Sequence, residues 1–229
     1  MIDRRGNTDR KLARLSETNA RLRRQLAEQE SFRRIAHQDP LTGLWNRRHA
    51  DERLVEEMGR VQSVAGYRFS LFVADVDDLK GINDRHGHAA GDQALRWVAG
   101  FLNQGLRSDD VCCRIGGDEF LLILPGSGDE ACRRFVKRLR ARWQADAQAH
   151  ARAGGQAVAV SIGAASYPAD GATPEALCAV ADAEMYEDKR RQSAARSRSA
   201  AEGSPEPSPS TTEAAPNAGA ARQTSRSTA

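Results

Sequence analysis

The sequence predicts an α+β fold in which helices flank a mainly antiparallel sheet. Apolar residues recur with a helical period of about 3.6 in several long segments, and short β-type runs separate these segments. The pair Gly116-Gly117 joins two of the β-type runs, and a short glycine link between strands is typical of an antiparallel hairpin. Long helices mixed with hairpin-linked strands favour an α+β sandwich.

The individual elements follow from the period of the apolar residues in each segment. Helices are predicted over residues 9–37, 44–64, 89–104, 128–148 and 174–191. Strands are predicted over residues 69–74, 111–115, 120–124 and 157–165. The hairpin links 111–115 to 120–124, and we expect its two glycines to supply the positive φ angles of a tight turn.

The first segment, residues 1–37, is predicted to be a helix that forms a dimeric coiled coil. Residues 9–37 contain no Gly or Pro, and leucines fall at heptad a and d positions, namely Leu12, Leu15, Leu22 and Leu26. Asn19 at an a position fixes the register of such a coil, whereas Arg33 at a later a position weakens its seam. The alternative is a solvated, arginine-rich helix that caps the domain.

The last segment, residues 192–229, is predicted to be disordered. It consists mostly of Ser, Ala, Pro, Thr and Gly and has no large apolar residue, so it cannot offset the entropy cost of ordering. This leaves residues 38–191 as one domain with its own core.

The formal net charge of +3 is unevenly distributed. Residues 1–37 hold ten Lys/Arg and five Asp/Glu, a balance of +5, so the rest of the chain sums to −2. This distribution disfavours nucleic-acid binding by the domain. No apolar run approaches the roughly 20 residues of a membrane span, and the first residues do not resemble a signal peptide. We therefore expect a cytoplasmic protein without a nucleic-acid or membrane partner.

Acidic residues follow two of the predicted strands. Asp118 and Glu119 lie at the hairpin, and Asp75, Asp77 and Asp78 follow the strand at 69–74. Adjacent carboxylates repel each other unless a cation lies between them, so these positions indicate a metal or proton-transfer site. Two such strand ends in one domain favour a shared Mg²⁺ site over solvated loop carboxylates.

Six ordered blocks of the sequence resemble the GGDEF family, the diguanylate cyclases. They read DPLTGL at 39–44 with NRR at 46–48, DVDDLK at 75–80, ND at 83–84 with GH at 87–88 and GD at 91–92, RIGGDEF at 114–120, SIG at 161–163, and AEMY at 183–186 with Lys189. The resemblance covers roughly residues 38–191. It implies the ferredoxin-like palm of nucleotidyl cyclases and polymerases.

The resemblance implies a metal-dependent phosphoryl-transfer site. Mg²⁺, with two ions per active site and Mn²⁺ as a substitute, is expected to be held by Asp75, Asp118 and the Val76 carbonyl. Metal ions in such a site screen the phosphates and lower the pKa of the attacking hydroxyl. The residues given catalytic roles by this resemblance are Asp118, Glu119 and Lys80.

Substrate contacts are implied in the same way. The start of the helix at Leu79 and Lys80 is expected to cradle phosphate oxygens, and further contacts are implied for Gly116, Gly117 and Lys189. Asn83 and Asp92 are implied as guanine contacts, although Asn83 alone also suits a helix cap. A carboxylate at Asp92 can accept both N–H donors of guanine, which favours GTP over ATP.

The sequence also departs from the family pattern. The family commonly continues from the position of Lys189 to an Arg four residues later, where this sequence has Ser193. One phosphate contact is therefore in doubt.

An inhibitory product site is implied by the tetrapeptide Arg107-Ser108-Asp109-Asp110. It stands at the family offset before the hairpin, where arginine forks bind guanine or phosphate. Arg114 and Arg138 are expected to add contacts. A surface salt bridge is the alternative interpretation of the Arg-x-x-Asp spacing.

The resemblance implies a diguanylate cyclase that condenses two GTP into cyclic di-GMP and two pyrophosphates. Its partners are expected to be a second copy of the chain, cyclic di-GMP at the regulatory site and an activator protein on the N-terminal helix. The alternatives are a catalytically weak cyclic di-GMP receptor, a signalling scaffold, and a cyclase for another nucleotide.

Overall fold

The computed structural model describes residues 4–202, in which six helices surround one five-stranded sheet. The elements in chain order are α1 (Arg4–His37), β1 (Trp45–Asn46), α2 (Arg47–Ser63), β2 (Phe69–Asp77), α3 (Leu79–His86), α4 (His88–Asn103), β3 (Val111–Arg114), β4 (Glu119–Pro125), α5 (Asp129–Arg152), β5 (Ala159–Tyr167) and α6 (Pro174–Glu202). None of these helices has both the length and the apolar character needed to cross a bilayer.

The sheet has the strand order β1-β3-β4-β2-β5. β2 lies between β4 and β5 and is antiparallel to both, β3 is antiparallel to β4, and β1 is parallel to β3. The predicted α+β fold with a mainly antiparallel sheet is therefore confirmed.

Successive residues of the central strand face two different hydrophobic cores, because side chains alternate along a strand. Phe72, Ala74 and Val76 pack towards α4 and α5, whereas Leu71 and Val73 pack towards α2 and α6. The alternation continues through the strand's last residues. Asp75 and Asp77 therefore lie on the α6 side of the sheet.

Along the outer edge of β5, carboxylate side chains accept the hydrogen bonds that a neighbouring strand would otherwise accept. Its outward N–H groups donate to acidic side chains, at 3.0 Å from Ile162 to Asp188, 3.2 Å from Ala164 to Glu184 and 2.7 Å from Ser166 to Asp170. N–H groups that already donate a hydrogen bond are not available to pair with a further strand. Two of these acids lie on α6, so the same bonds fix that helix against the sheet.

Several element boundaries differ from the sequence-based predictions. The strand β1 was not predicted, because two residues are too short to show a period. The helix that was expected to start at Leu79 is the short helix α3, and Gly87, with a φ of 83°, divides it from α4. β2 extends to Asp77, so Asp75 and Asp77 lie in the strand rather than after it.

The predicted disorder from residue 192 is wrong for the first part of that segment, because α6 continues to Glu202. Gln192 holds this extension on the sheet by donating to the Val160 carbonyl at 3.0 Å. The rest of the segment, residues 203–229, lies outside the described residues. Leu12 and Arg33 of the predicted coil also lie outside the described side chains.

Gly163 allows α6 to approach β5 closely. A Cβ placed at Gly163 would collide with backbone atoms of Ala181 and Met185 on α6. Backbone atoms cannot swing aside as a flexible side chain can. We therefore expect Gly163→Ala to lower the free energy of unfolding by about 1–3 kcal/mol, as in other overpacked cores.

Chemical denaturation of Gly163→Ala beside Gly59→Ala tests this prediction. Gly59 lies in α2 with open space around it, so Gly59→Ala should stabilise the protein by about 0.5–1 kcal/mol. An unfolding midpoint for Gly163→Ala equal to that of the wild type would contradict the close packing of α6 on β5.

Candidate active site at the ends of β2 and β4

Two carboxylates lie side by side at the end of the central strand. Asp75 pairs with Glu119 of β4 and Ser161 of β5, and Asp77 pairs with Ala159. Asp75 and Asp77 are buried, at 8% and 3% exposure. Two buried carboxylates on one face of a sheet need a cation or strong hydrogen bonds, because burial disfavours an unpaired charge.

Lys189 of α6 supplies that cation. Its Nζ lies 2.6 Å from Oδ1 of Asp75 and 3.9 Å from Oδ1 of Asp77. Ser161 Oγ also donates to Asp77 at 2.9 Å. The hydrogen bond to Asp75 raises the pKa of Lys189, and the charges of Asp75, Asp77 and Asp118 act in the same direction. Lys189 is therefore a stable ammonium ion between the strand-end carboxylates.

The hairpin places Asp118 next to this pair. The Val76 N–H donates to the Asp118 carbonyl at 3.0 Å, and Ile115 N–H donates to the Glu119 carbonyl at 2.9 Å. The N–H and C=O of one residue in a strand point to the same side, so the Val76 carbonyl also faces the hairpin. Asp118 and Glu119 are both half-buried.

The expected reason for the two hairpin glycines is wrong. Neither Gly116 nor Gly117 has a positive φ. Gly116 instead lies against Glu119, and a Cβ at Gly116 would collide with the Glu119 carboxylate. Gly117 is exposed and has open space around its Cβ position. The Glu119 side chain lies close to Gly116, and no positive φ requires a glycine at either position.

The donor set at the two strand ends fits a hard divalent cation. Asp75 and Asp118 offer carboxylate oxygens, and Val76 offers a carbonyl oxygen. Oxygen ligands of this kind suit Mg²⁺. The position of the Lys189 ammonium on Asp75 also shows that positive charge is stabilised there.

The two helices after β2 carry the other predicted substrate contacts. Asp78 caps α3 in the left-handed region, with a φ of 55°, and Lys80 is exposed in the first turn of α3. Asn83 packs on Gly91 of α4, where a Cβ would collide with its side-chain oxygen. Asp92 is the next residue and lies 3.9 Å from Arg96. The structure therefore brings Asn83 close to the position of Asp92, while Leu79 is half-buried against the core.

The predicted inhibitory residues divide into two groups. A cavity of about 250 Å³ is lined by Arg107, Asp110 and Arg138, together with Arg134 and Phe135. Asp110 accepts a hydrogen bond from the backbone N–H of Arg107 at 2.8 Å, which closes the Arg-x-x-Asp turn. Arg138 lies over the Phe135 ring at 5.3 Å. Sequence reasoning did not identify Arg134, which lies one helical turn before Arg138 on α5.

Arg114 lies outside this cavity and anchors the hairpin instead. Its guanidinium contacts the Asp39 carboxylate at 3.1 and 3.2 Å and the Gly117 carbonyl at 2.7 Å. Arg47 also holds the hairpin, because its Nε donates a hydrogen bond to the Ile115 carbonyl at 2.7 Å. Roles for Asp39 and Arg47 were not assigned from the sequence, although both lie in its first family-like block.

The chain is similar to known proteins of one family. The family described as "Diguanylate cyclase, GGDEF domain" matches residues 36–195. Diguanylate cyclase DgcP from Pseudomonas aeruginosa is 46% identical over 112 residues, which cover 49% of this chain and 16% of DgcP. The chain spans less than half the length of the curated relatives it matches.

Two crystal structures have similar folds. The coiled coil and GGDEF domain of DgcB from Caulobacter crescentus, in complex with c-di-GMP, has a TM-score of 0.64 at 29% identity, covering 78% of this chain and 93% of that one. Diguanylate cyclase SiaD from Pseudomonas aeruginosa, in complex with its activator SiaC, has a TM-score of 0.61 at 30% identity, covering 82% and 72%.

The Asp39 carboxylate gives the hairpin anchor a predicted pH dependence. Partial burial would raise the pKa of Asp39, but hydrogen bonds from Thr42 and Arg114 outweigh it, so the pKa is lowered. A lowered pKa contributes stability above the unfolded pKa, and this contribution is lost as the pH falls through the folded pKa. We expect Asp39→Asn to lower the free energy of unfolding by about 1.5–3 kcal/mol near neutral pH.

Urea unfolding of wild type and Asp39→Asn from about pH 7 to about pH 3 measures this contribution. The difference between them should shrink as the pH falls below about 4, the usual pKa of an aspartate. Asp84→Asn, at an exposed position of α3, is the control. A pH-independent difference would show that the charge of Asp39 is not what anchors the hairpin.

Proposed function

Because the chain belongs to the family of diguanylate cyclase GGDEF domains, we propose that it condenses two GTP into cyclic di-GMP and two pyrophosphates. The observation that carries this proposal is the strand-end site itself. Asp75 and Asp77 lie beside the GGDEF hairpin with an ammonium ion between them. A site that stabilises positive charge between buried carboxylates suits a metal-bound triphosphate.

The proposed metal ligands are Asp75, Asp118 and the Val76 carbonyl. The site is proposed to hold two Mg²⁺ ions, for which Mn²⁺ can substitute. When bound, the metal would screen the charges of the triphosphate and lower the pKa of the attacking 3′-hydroxyl. Asp118 assists removal of the hydroxyl proton. Glu119, on the same hairpin, orients the substrate side of the site.

Other residues of the chain bind the nucleotide. The N–H groups at Leu79 and Lys80 point from the start of α3 to phosphate oxygens, and Gly116 and Gly117 let the hairpin backbone approach them. Lys189 contacts the triphosphate once Asp75 binds the metal, because its ammonium group then pairs with phosphate oxygens instead of that carboxylate. Asn83 and Asp92 accept the N–H donors of guanine, which selects GTP.

The reaction requires two copies of the chain. Each domain has one half-site, and the product joins two nucleotides head to tail, so two half-sites must face each other. Leu15, Leu22 and Leu26 of α1 are about half exposed in the single chain, at 52%, 50% and 57%. Their burial in a coiled coil would supply the dimer. SiaD, which this chain resembles, forms a complex with its activator SiaC, and we propose that an activator protein binds α1 of this chain.

The cavity between α5, the end of β4 and the loop that precedes β3 is proposed as the inhibitory site for cyclic di-GMP. Arg107 and Arg138 offer guanidinium forks to guanine or phosphate, and Asp110 offers a carboxylate. We leave Arg114 out of this site, because Asp39 holds it at the hairpin. We place the enzyme in the cytoplasm, where GTP is available.

Removal of a metal ligand should abolish synthesis without unfolding the domain. Asp118→Asn keeps the shape of the side chain but removes the charge, and we expect pyrophosphate release to fall by at least about 100-fold. Asp84→Asn, which changes an exposed acid on α3, should leave the rate within about twofold of the wild type. Near-normal turnover by Asp118→Asn, with a wild-type unfolding curve, would disprove the metal assignment.

Feedback should depend on the arginines of the cavity. We expect Arg138→Ala to keep the initial rate of synthesis. The concentration of cyclic di-GMP that gives half inhibition should rise by about 10–100-fold, because a lost hydrogen bond to a charged group costs about 1.5–3 kcal/mol. Arg133→Ala removes an exposed arginine of α5 that pairs with Asp129, and it should be inhibited like the wild type. Unchanged inhibition of Arg138→Ala would place the regulatory site elsewhere.

A further inference from the structure

Three side chains with metal-ligand chemistry meet where the N-terminal helix joins the domain. His37 is the last residue of α1, and His49 and Glu52 lie one turn apart on α2. One ligand atom from each residue lies within 4.8 Å of the other two. Among the side chains that the structure describes, no other group of three His, Cys, Asp or Glu residues is as close.

The atoms facing one another are suitable donors. His37 Nδ1 is buried, makes no hydrogen bond to any described residue, and lies 3.5 Å from Oε2 of Glu52. Arg48 contacts the other oxygen, Oε1, at 3.3 Å. Two ligand atoms that each lie about 2.0–2.1 Å from a tetrahedral ion are about 3.3 Å from each other. His37 Nδ1 and Glu52 Oε2, at 3.5 Å, are therefore already close to the distance required of two ligands of one ion.

Neighbouring groups fix the orientation of both imidazole rings. Trp45 stacks on His49 with ring centroids 4.0 Å apart, and His37 meets His49 edge-on at 5.8 Å. The Asn46 side chain donates to the Ala36 carbonyl at 2.9 Å, which ties the end of α1 to the start of α2. Ligands held by their surroundings in this way bind a metal with less loss of freedom.

We propose that His37, His49 and Glu52 form a Zn²⁺ site that clamps the N-terminal helix to the catalytic domain. Two imidazole nitrogens and one carboxylate suit Zn²⁺, with water as the fourth ligand. Mg²⁺ prefers oxygen ligands only, so it does not compete here. The site is separate from the strand-end carboxylates, and its existence does not rest on the proposed function. It joins two helices and would fix the direction in which α1 leaves the domain.

Zinc titration of the full chain against a chromophoric chelator tests the site. Excess Mg²⁺ is present, so that the carboxylates of the active site are occupied. The wild type should take up one equivalent of Zn²⁺. Loss of a residue that only hydrogen-bonds to a metal ligand lowers metal affinity by about 10–100-fold. Loss of a ligand itself should cost more, so we expect His37→Ala and His49→Ala each to lower the Zn²⁺ affinity by more than about 100-fold.

Two further variants separate ligation from folding. Glu52→Gln changes a half-exposed side chain, so it should fold normally and still bind Zn²⁺ more weakly. His150→Ala removes a histidine that stacks on Trp97 of α4, and it should bind like the wild type. No stoichiometric binding by the wild type, or equal affinity in the wild type and in His37→Ala, would overturn the proposal.

Spectroscopy and exchange give readouts that do not depend on enzyme activity. Co²⁺ in place of Zn²⁺ should give visible absorption bands of a tetrahedral site in the wild type, and these should be lost in His49→Ala. Amide hydrogen exchange over residues 36–46 should slow when Zn²⁺ is added to the wild type. Tetrahedral Co²⁺ bands that persist in His49→Ala would also contradict the assigned ligands.

Discussion

The ion pair between Lys189 and Asp75 connects the sheet, the last helix and the hairpin. Asp75 is buried because β2 is paired on both sides, and a buried carboxylate is costly unless a positive group accompanies it. Lys189 reaches it from α6, which Asp188 holds against β5. The hydrogen bond to Asp75 also keeps the lysine positively charged. The contact therefore links the position of α6 to the charge balance of the site.

Two sets of interactions position the groups on either side of this contact. On one side, Asp188 accepts from the Ile162 N–H at 3.0 Å and pairs with Arg140 of α5 at 3.0 Å, which fixes α6 next to Lys189. On the other side, Arg114 ties the hairpin to Asp39. The acids at the two strand ends are thus positioned by separate anchors. Substrate-binding energy is not needed to assemble them.

The sequence predicted the long elements and the acidic strand ends well, because both have strong local signals. Period and spacing located the helices, the hairpin, and Asp75 beside Asp118. They did not show β1, which has two residues, or the Asp39 to Arg114 pair, which joins positions 75 residues apart. The place of Lys189 on Asp75 was also missed, since contacts between distant segments leave no periodic pattern. The domain limits and the roles of the site residues stay predictions.

The most direct test of the central claim is the identity of the product. The purified chain is incubated with GTP and Mg²⁺, and the nucleotides are separated and identified by mass spectrometry. We expect cyclic di-GMP, with two pyrophosphates released for each product molecule, and no product from ATP alone. Intact GTP after prolonged incubation with folded, dimeric protein, or a cyclic product from ATP alone, would contradict it.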